Sequence, residues 1–177
     1  GGGRLPIEVH GPIKGGRVVV DGSISSQFIT GLLIALPCAK SDTTIEVRDA
    51  VSTPYIDMTL ETLERFGVEV MHNEGDYSEF YIEGNQILKP VDYTIESDWS
   101  AAAFIMVAAA IAGEVTVRNI STLSRQADTL VCRALERAGV SLIIEEGAIT
   151  VSHRPLEAFT FDATNSPDLF PALVALA

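Results

Sequence analysis

Residues 17–36 read RVVVDGSISSQFITGLLIAL, and the same pattern returns at residues 92–111, DYTIESDWSAAAFIMVAAAI, and at residues 159–177, FTFDATNSPDLFPALVALA. Each copy has a β-prone run, an acidic residue, a short polar loop and an apolar run that suits a helix. The acids that align are Asp21, Glu96 and Asp162, and the serines that then align without a gap are Ser25, Ser100 and Ser166. Such a repeat indicates a fold built from similar supersecondary units.

The sequence that follows the first two copies is repeated as well. Residues 44–48 and 114–118 alternate apolar and polar side chains, which predicts two half-buried strands. Residues 55–66 and 127–138 place apolar side chains at helical spacing, which predicts two amphipathic helices. The first two units therefore share the order strand, helix, strand, helix.

Each of these predicted helices ends at a glycine, Gly67 or Gly139, where we expect the left-handed backbone conformation that closes many helices. A predicted hairpin then completes the unit. The paired hairpin segments are 68–71 with 80–83 and 141–145 with 148–152. The unit is βαβαββ, present in about two and a third copies, and the fold class is α/β of the α+β kind.

The polar segment at residues 86–90 predicts a boundary between two lobes. Residues 1–90 would hold the end of one repeat and one complete unit of the first lobe. Residues 91–177 would hold one complete unit of the second lobe and the start of another. Because the third copy stops inside an apolar helix that would have nothing to pack against, we expect a truncated chain.

Composition predicts a globular protein. The 177 residues are 47% hydrophobic, which suffices for a full core. No apolar run reaches the roughly 20 residues of a membrane span, and residues 1–5 lack a signal-peptide pattern, so we expect a soluble, cytoplasmic protein. A net charge of −12 opposes binding to nucleic acid. Cys38 and Cys132 are expected to be core thiols.

The loop at residues 21–27 precedes a predicted helix. Its hydroxyls and the free backbone N–H groups meet where the helix dipole favours an anion, so a phosphate site at Ser25, Ser26 and Gln27 is one interpretation. The simpler alternative is that Ser25 or Ser26 caps the helix.

Two other candidate positions have a structural alternative of the same kind. Ser52 suits either a helix cap or a ligand contact, and Tyr55 suits either a ligand contact or a half-buried aromatic role. Asp168, in the first turn of the third predicted helix, would be stabilised there by the dipole alone. Glu96 and Asp162 align with Asp21, which favours a repeated structural role for all three acids.

Three motifs together resemble the 5-enolpyruvylshikimate-3-phosphate synthases, a family of enolpyruvyl transferases. They are Asp-Gly-Ser-x-Ser-Ser-Gln-Phe at 21–28, Ser-x-Pro-Tyr-Ile-Asp-Met-Thr at 52–59 and Pro-Asp at 167–168, and the similarity runs from Gly1 to Ala177. The resemblance implies two lobes of three βαβαββ units each, in agreement with the repeat. Trp99 stands where many relatives have a small residue, and we expect this departure to leave function untouched.

The resemblance also implies roles for single residues. Those it assigns to the substrate shikimate 3-phosphate are Ser25, Ser26, Gln27, Ser52, Tyr55 and Asp168. The two adjacent serines would contact mainly the phosphate. Asp168 would bind the ring hydroxyls and act as the catalytic base on the attacking one.

The implied reaction transfers the enolpyruvyl group of phosphoenolpyruvate to the 5-hydroxyl of shikimate 3-phosphate and releases phosphate, on the shikimate pathway to chorismate and the aromatic amino acids. Acid–base groups and charge stabilisation suffice for it, so no metal and no organic cofactor is expected. The resemblance implies that the cations that bind phosphoenolpyruvate come from segments before and after residues 1–177. We therefore expect this region to be inactive alone, and the whole enzyme to be a monomer.

Other functions stay open on the sequence. A transferase acting on UDP-N-acetylglucosamine would share the fold, although its substrate loop differs from residues 21–28. A non-catalytic ligand-binding module and an RNA-end-processing enzyme of related architecture are further alternatives, and the acidic composition opposes the second of these.

Overall fold

The computed structural model describes residues 5–177, and its first half is a four-stranded sheet. Residues 1–4, which carry most of the prediction about the N-terminus, lie outside the described part. The strands are β1 (Gly16–Asp21), β2 (Thr43–Arg48), β3 (Val70–Met71) and β4 (Glu79–Ile82). Their order in the sheet is β1-β2-β4-β3, with β1 and β2 parallel and β4 antiparallel to both of its neighbours.

Two helices pack against this sheet. Helix α1 (Gln27–Ala35) continues into a 3-10 turn, Leu36–Cys38, and connects the two parallel strands, while α2 (Thr53–Arg65) leads from β2 to β3. Helical spacing of 3.6 and strand spacing of two bring the apolar side chains onto facing surfaces. The fully buried ones include Ile29, Leu33, Ile45, Ile56, Phe80 and Ile82. The predicted βαβαββ unit is confirmed in this half.

The second half contains an antiparallel sheet of three strands. Its elements are α3 (Trp99–Ala112), β5 (Glu114–Arg118), a 3-10 turn at Ala127–Leu130, α4 (Val131–Arg137), β6 (Ser141–Glu145) and β7 (Ala148–Ser152). The strand order is β5-β7-β6. The three strands predicted at 114–118, 141–145 and 148–152 are confirmed.

The third copy ends in a 3-10 turn, Pro167–Leu169, followed by α5 (Phe170–Leu176). Leu169 and Ala172 are fully buried in the same apolar cluster as Met106 of α3. The expectation that this helix would have nothing to pack against is therefore wrong, because its apolar face meets α3.

Two predicted strands do not form, at residues 92–96 and 159–162. A strand is stabilised by a hydrogen-bonded neighbour, and both segments pack elsewhere. Tyr93 lies against Phe66, with ring centroids 6.1 Å apart, which draws the first segment toward α2. The carbonyl of Thr160 accepts a hydrogen bond from the Arg137 side chain at 3.0 Å, which holds the second segment beside α4.

Buried apolar residues form two separate clusters, one built from residues 29–82 and one from residues 99–176. Trp99 belongs to the second, where its indole N–H donates to the carbonyl of Ser121 at 3.1 Å. The assignment of the two halves to different lobes stays a prediction. Between residues 5 and 177, no helix has the length and apolar character needed to span a bilayer.

The cysteines differ from each other in burial. Cys38 is exposed, so the prediction of a core thiol is wrong for it: its 3-10 turn directs Leu36 and Pro37 inward instead. Cys132 is partly buried against the second cluster, and this burial raises the pKa of its thiol to about 11. It is a structural rather than a reactive thiol.

Gly67 and Gly139 close α2 and α4 in the predicted left-handed conformation, with φ of +76° and +80°. After α4, the N–H groups of Gly139 and Val140 donate to the carbonyls of Glu136 and Leu135, both at 3.0 Å. This pair of hydrogen bonds is the Schellman motif, which satisfies two backbone carbonyls at the end of the helix.

Replacing glycine by alanine should have opposite effects at two positions. Gly139→Ala has room for the added methyl group but forces alanine into φ +80°, so we expect the free energy of unfolding to fall by about 1–2 kcal/mol. Gly31→Ala lies inside α1 with nothing within 4 Å of the new methyl group, and should raise it by about 0.5–1 kcal/mol. Urea unfolding of both variants measures this, and shifts of the same sign would contradict the helix-end assignment.

Candidate active site

A cleft of about 550 Å³ lies where the first half of the chain meets the start of the third copy. Three segments form its polar walls: the loop between β1 and α1, the start of α2, and the 3-10 turn before α5. The predicted site residues that line it are Ser25, Ser26, Gln27, Ser52, Tyr55 and Asp168. The fold thus brings all six together from distant parts of the sequence.

Acids at two of the aligned positions hold the same local turn. The Asp21 carboxylate accepts from the Ser23 N–H at 3.0 Å and from its hydroxyl at 2.6 Å, and Asp162 accepts from Thr164 in the same way at 2.9 and 2.6 Å. These bonds lower the pKa of both carboxyls. A repeated structural role is therefore found for Asp21 and Asp162. It is not found for Glu96, whose segment forms no such turn.

Gly22 joins the two loops that carry the serines of the site. Its N–H donates to the Arg48 carbonyl at 2.7 Å, and its carbonyl accepts from the Val51 N–H at 3.2 Å. A Cβ at this position would lie only 3.0 Å from Cα of Ala50. Only glycine lets the two loops approach this closely, and the approach places Ser52 beside the β1–α1 loop.

The two serines at the start of α1 differ in whether they cap the helix, the question that the sequence left open. The Ser25 hydroxyl accepts from the Gln27 N–H at 3.1 Å, so this side chain does satisfy a helix-start donor. Ser26 precedes the first helical residue, yet its side chain makes no capping bond, and only 4% of the residue is exposed. Ser26 therefore lines the cleft without capping the helix.

Ser52 does not cap α2 either. Its side chain makes no capping bond, the residue is 6% exposed, and its backbone is left-handed at φ +54°. This conformation costs a non-glycine residue about 1–2 kcal/mol, and such strain concentrates at binding sites. The capping alternative therefore does not explain Ser52.

Tyr55 is half-buried in the wall of the cleft, and its hydroxyl donates to Oδ2 of Asp128 at 3.3 Å. Burial raises the pKa of the phenol, and the nearby carboxylates of Asp128 and Asp168 raise it further. The hydroxyl consequently keeps its proton at neutral pH and remains a hydrogen-bond donor.

The sequence model of the family described as EPSP synthase (3-phosphoshikimate 1-carboxyvinyltransferase) matches residues 1–177. The chain belongs to the EPSP synthase family. A relative from Clostridium perfringens (strain 13 / Type A), named 3-phosphoshikimate 1-carboxyvinyltransferase, is 39% identical over 176 residues, which are 98% of this chain and 41% of that protein. A relative of the same name from Methanosarcina acetivorans is 40% identical over 183 residues, and the match covers 100% of this chain and 42% of that protein. The chain spans less than half the length of these relatives.

Solved structures agree with this family assignment. An EPSP synthase from Acinetobacter baumannii superposes with a TM-score of 0.63 at 26% identity, covering 92% of this chain and 38% of that one. The enolpyruvyl transferase NikO from Streptomyces tendae has a TM-score of 0.56 at 15% identity, and the match covers 79% of this chain and 36% of that one. At this identity the likeness is one of fold alone. The predicted fold class is confirmed.

One buried acid beside the cleft was not predicted. Asp128 is 1% exposed, accepts a hydrogen bond from the Ser100 hydroxyl, and has its pKa raised chiefly by burial. The sequence did contain a signal. Asp128 stands three and seven residues before Val131 and Leu135, which places an acid on the apolar face of the predicted helix.

Polar side chains share the cleft with apolar ones such as Met58, Leu63 and Phe66, and no positive side chain of the described part joins them. Among residues 5–177, none of the residues lining it is Lys or Arg, and Asp168 adds a negative charge at its rim. Within the same part of the chain, no three His, Cys, Asp or Glu side chains cluster as metal ligands. An anion held here would be bound by hydroxyl, amide and backbone donors.

Proposed function

We propose that a protein carrying this region together with the rest of the length of its relatives, called here the family-length protein, is a 3-phosphoshikimate 1-carboxyvinyltransferase. It would transfer the enolpyruvyl group of phosphoenolpyruvate to the 5-hydroxyl of shikimate 3-phosphate and release phosphate, in the cytoplasm, as a monomer and without a cofactor. The observation that carries the proposal is the cleft, which gathers all six predicted substrate residues in a chain of this family.

The serine wall suits the phosphate of shikimate 3-phosphate. Ser25, Ser26 and Gln27 stand at the N-terminus of α1 and line the cleft, so the positive end of the helix dipole lies beside it. Ser26 supports the assignment most, because its buried hydroxyl does no capping work. Ser52, whose backbone is strained and whose side chain does not cap α2, would add a contact from the adjoining wall.

Asp168 suits the role of the catalytic base. Asp168 lines the cleft from a different segment than the serines, the 3-10 turn before α5, so a ligand bound through its phosphate could present ring hydroxyls to it. Removal of the 5-hydroxyl proton lets that oxygen attack the central carbon of phosphoenolpyruvate while the methylene carbon is protonated. Loss of a methyl proton and of phosphate from the tetrahedral intermediate then gives the product.

The position of the cleft agrees with two lobes. Its serine walls belong to residues before 90 and Asp168 to residues after 91, so we assign residues 1–90 to the first lobe and 91–177 to the second. A site between lobes allows closure to expel water around the reacting groups.

UDP-N-acetylglucosamine is the alternative acceptor for this fold. The names of the Clostridium and Methanosarcina relatives favour shikimate 3-phosphate. Calorimetric titration of each ligand into the 177-residue region, checked for its fold by circular dichroism, tests the choice. Heat from shikimate 3-phosphate alone supports the proposal, whereas heat from the UDP-sugar alone contradicts it. A non-catalytic ligand-binding module of the same fold would give no turnover even at family length.

The isolated region should bind phosphoenolpyruvate poorly and give no turnover. Phosphoenolpyruvate carries a phosphate and a carboxylate, and neither meets a cation in the cleft of a chain with net charge −12. We expect phosphate release within background when both substrates are supplied, in contrast to the family-length protein. Turnover by the isolated region at the family-length rate would show that the cations are not needed.

A further inference from the structure

The hydrogen bonds around Asp128 connect the two halves of the chain at the cleft. Asp128 lies in the 3-10 turn Ala127–Leu130 of the second half, and its Oδ2 accepts from Tyr55 of the first half at 3.3 Å. The same oxygen accepts from the Ser100 hydroxyl at the start of α3. A single buried carboxylate thus orders one side chain from each half.

The turn that carries Asp128 is held firmly in place. The Gln126 side chain accepts from the backbone N–H of Trp99 at 2.8 Å and donates to the Ser97 carbonyl at 2.7 Å. Asp98 caps α3 by accepting from the N–H of Ser100 at 2.9 Å. The turn and the helix start therefore form one rigid frame, and Asp128 projects from it toward Tyr55.

Burial of the Asp128 carboxylate lowers the stability of the fold, and a positional role would explain why an acid is found here. Asp128 is 1% exposed, its second oxygen Oδ1 has no hydrogen-bond partner among residues 5–177, and Asp168 and Asp98 add negative charge nearby. A buried polar group without a full set of partners destabilises a fold. An apolar side chain would fill this site at lower cost, but it would leave the Tyr55 hydroxyl without its acceptor.

We propose that Asp128 is a positioning residue for shikimate 3-phosphate: it fixes the Tyr55 hydroxyl in the wall of the cleft and joins the serine side to the half that carries Asp168. The inference rests on the proposed function. Asp128 does not itself line the cleft, so it acts through Tyr55. Its effect should fall on substrate binding more than on the chemical step.

A double-mutant cycle in the family-length protein tests this role. Asp128→Ala and Tyr55→Phe should each raise KM for shikimate 3-phosphate about 5–10-fold, the value of one hydrogen bond, with kcat changed less. In the Tyr55→Phe background, Asp128→Ala should add less than twofold, because the link is already lost. Asp128→Asn, which keeps an acceptor oxygen, should restore part of the affinity, and it serves as the probe if the alanine variant does not fold.

A second contact between the halves provides the control. The Arg125 guanidinium pairs with Glu61 at 3.3 Å, and neither residue lines the cleft. Arg125→Ala should leave KM within twofold, which separates positioning at the cleft from general attachment of the halves.

Independent, multiplicative effects of Tyr55→Phe and Asp128→Ala on KM would overturn the inference while leaving the proposed function intact. Absence of turnover by the unmodified protein would instead defeat the proposed function. In that case the free energy of unfolding is measured for the two single variants and the double variant. Additive effects on it would show that the two side chains are not linked.

Discussion

Asp168→Asn in the family-length protein is expected to lower kcat about 10²–10⁴-fold, the usual contribution of a positioned general base. Asparagine has nearly the same shape and can still hydrogen-bond a ring hydroxyl, but it cannot accept the proton of the attacking one. KM for shikimate 3-phosphate should therefore stay within a few-fold. Steady-state kinetics that follow phosphate release measure both constants.

Asp162→Asn is the matched control for this variant. Asp162 lies six positions earlier on the same segment and is also an exposed acid, but its carboxylate is engaged by Thr164 in a local turn. An asparagine side-chain oxygen can accept those same bonds, so kcat should stay near the unmodified value. A kcat for Asp168→Asn within threefold of the unmodified protein would remove Asp168 from the role of base.

The combined Ser26→Ala and Ser52→Ala variant is expected to show the largest loss of affinity for shikimate 3-phosphate. A hydrogen bond to a charged group contributes about 1.5–3 kcal/mol, so each substitution should raise the dissociation constant roughly 10–100-fold. Neither hydroxyl caps its helix, so both changes should leave the helices intact. Titration calorimetry gives the constants, and circular dichroism checks the fold.

Ser23→Ala separates ligand contact from loop structure. Ser23 belongs to the same loop, but its hydroxyl donates to Asp21 at 2.6 Å, and the backbone N–H of the variant can still hold that turn. We expect its dissociation constant within twofold of the unmodified protein. Equal losses in Ser23→Ala and Ser26→Ala would indicate that the loop, and not the Ser26 hydroxyl, determines affinity.

Local sequence patterns predicted the units of the fold well where the stabilising contacts are also local. Alternation alone located β5, and the glycine signals located the ends of α2 and α4. The two β-prone segments that failed, 92–96 and 159–162, have suitable side chains. Their backbone groups and aromatic rings find partners on α2 and α4 instead, and those tertiary contacts override β propensity.

The site was predictable to the extent that it follows from motifs. The helix-start pattern indicated Ser25, Ser26 and Gln27, and the family resemblance assigned all six cleft residues to the substrate. The structure then showed that neither Ser26 nor Ser52 caps its helix. Asp128 and Gly22 were missed for different reasons. The partners of Asp128, Tyr55 and Ser100, lie far from it in sequence, and the close approach at Gly22 involves a neighbouring loop that no local pattern indicates.

The most direct measurement for the central claim is phosphorus NMR of the family-length protein mixed with shikimate 3-phosphate and phosphoenolpyruvate. We expect the phosphoenolpyruvate signal to decline and inorganic phosphate to appear in equal amount, with a new phosphate monoester in place of shikimate 3-phosphate. UDP-N-acetylglucosamine in place of shikimate 3-phosphate should leave phosphoenolpyruvate unchanged. Consumption of phosphoenolpyruvate with the UDP-sugar, or none with shikimate 3-phosphate by a folded protein, would contradict the account.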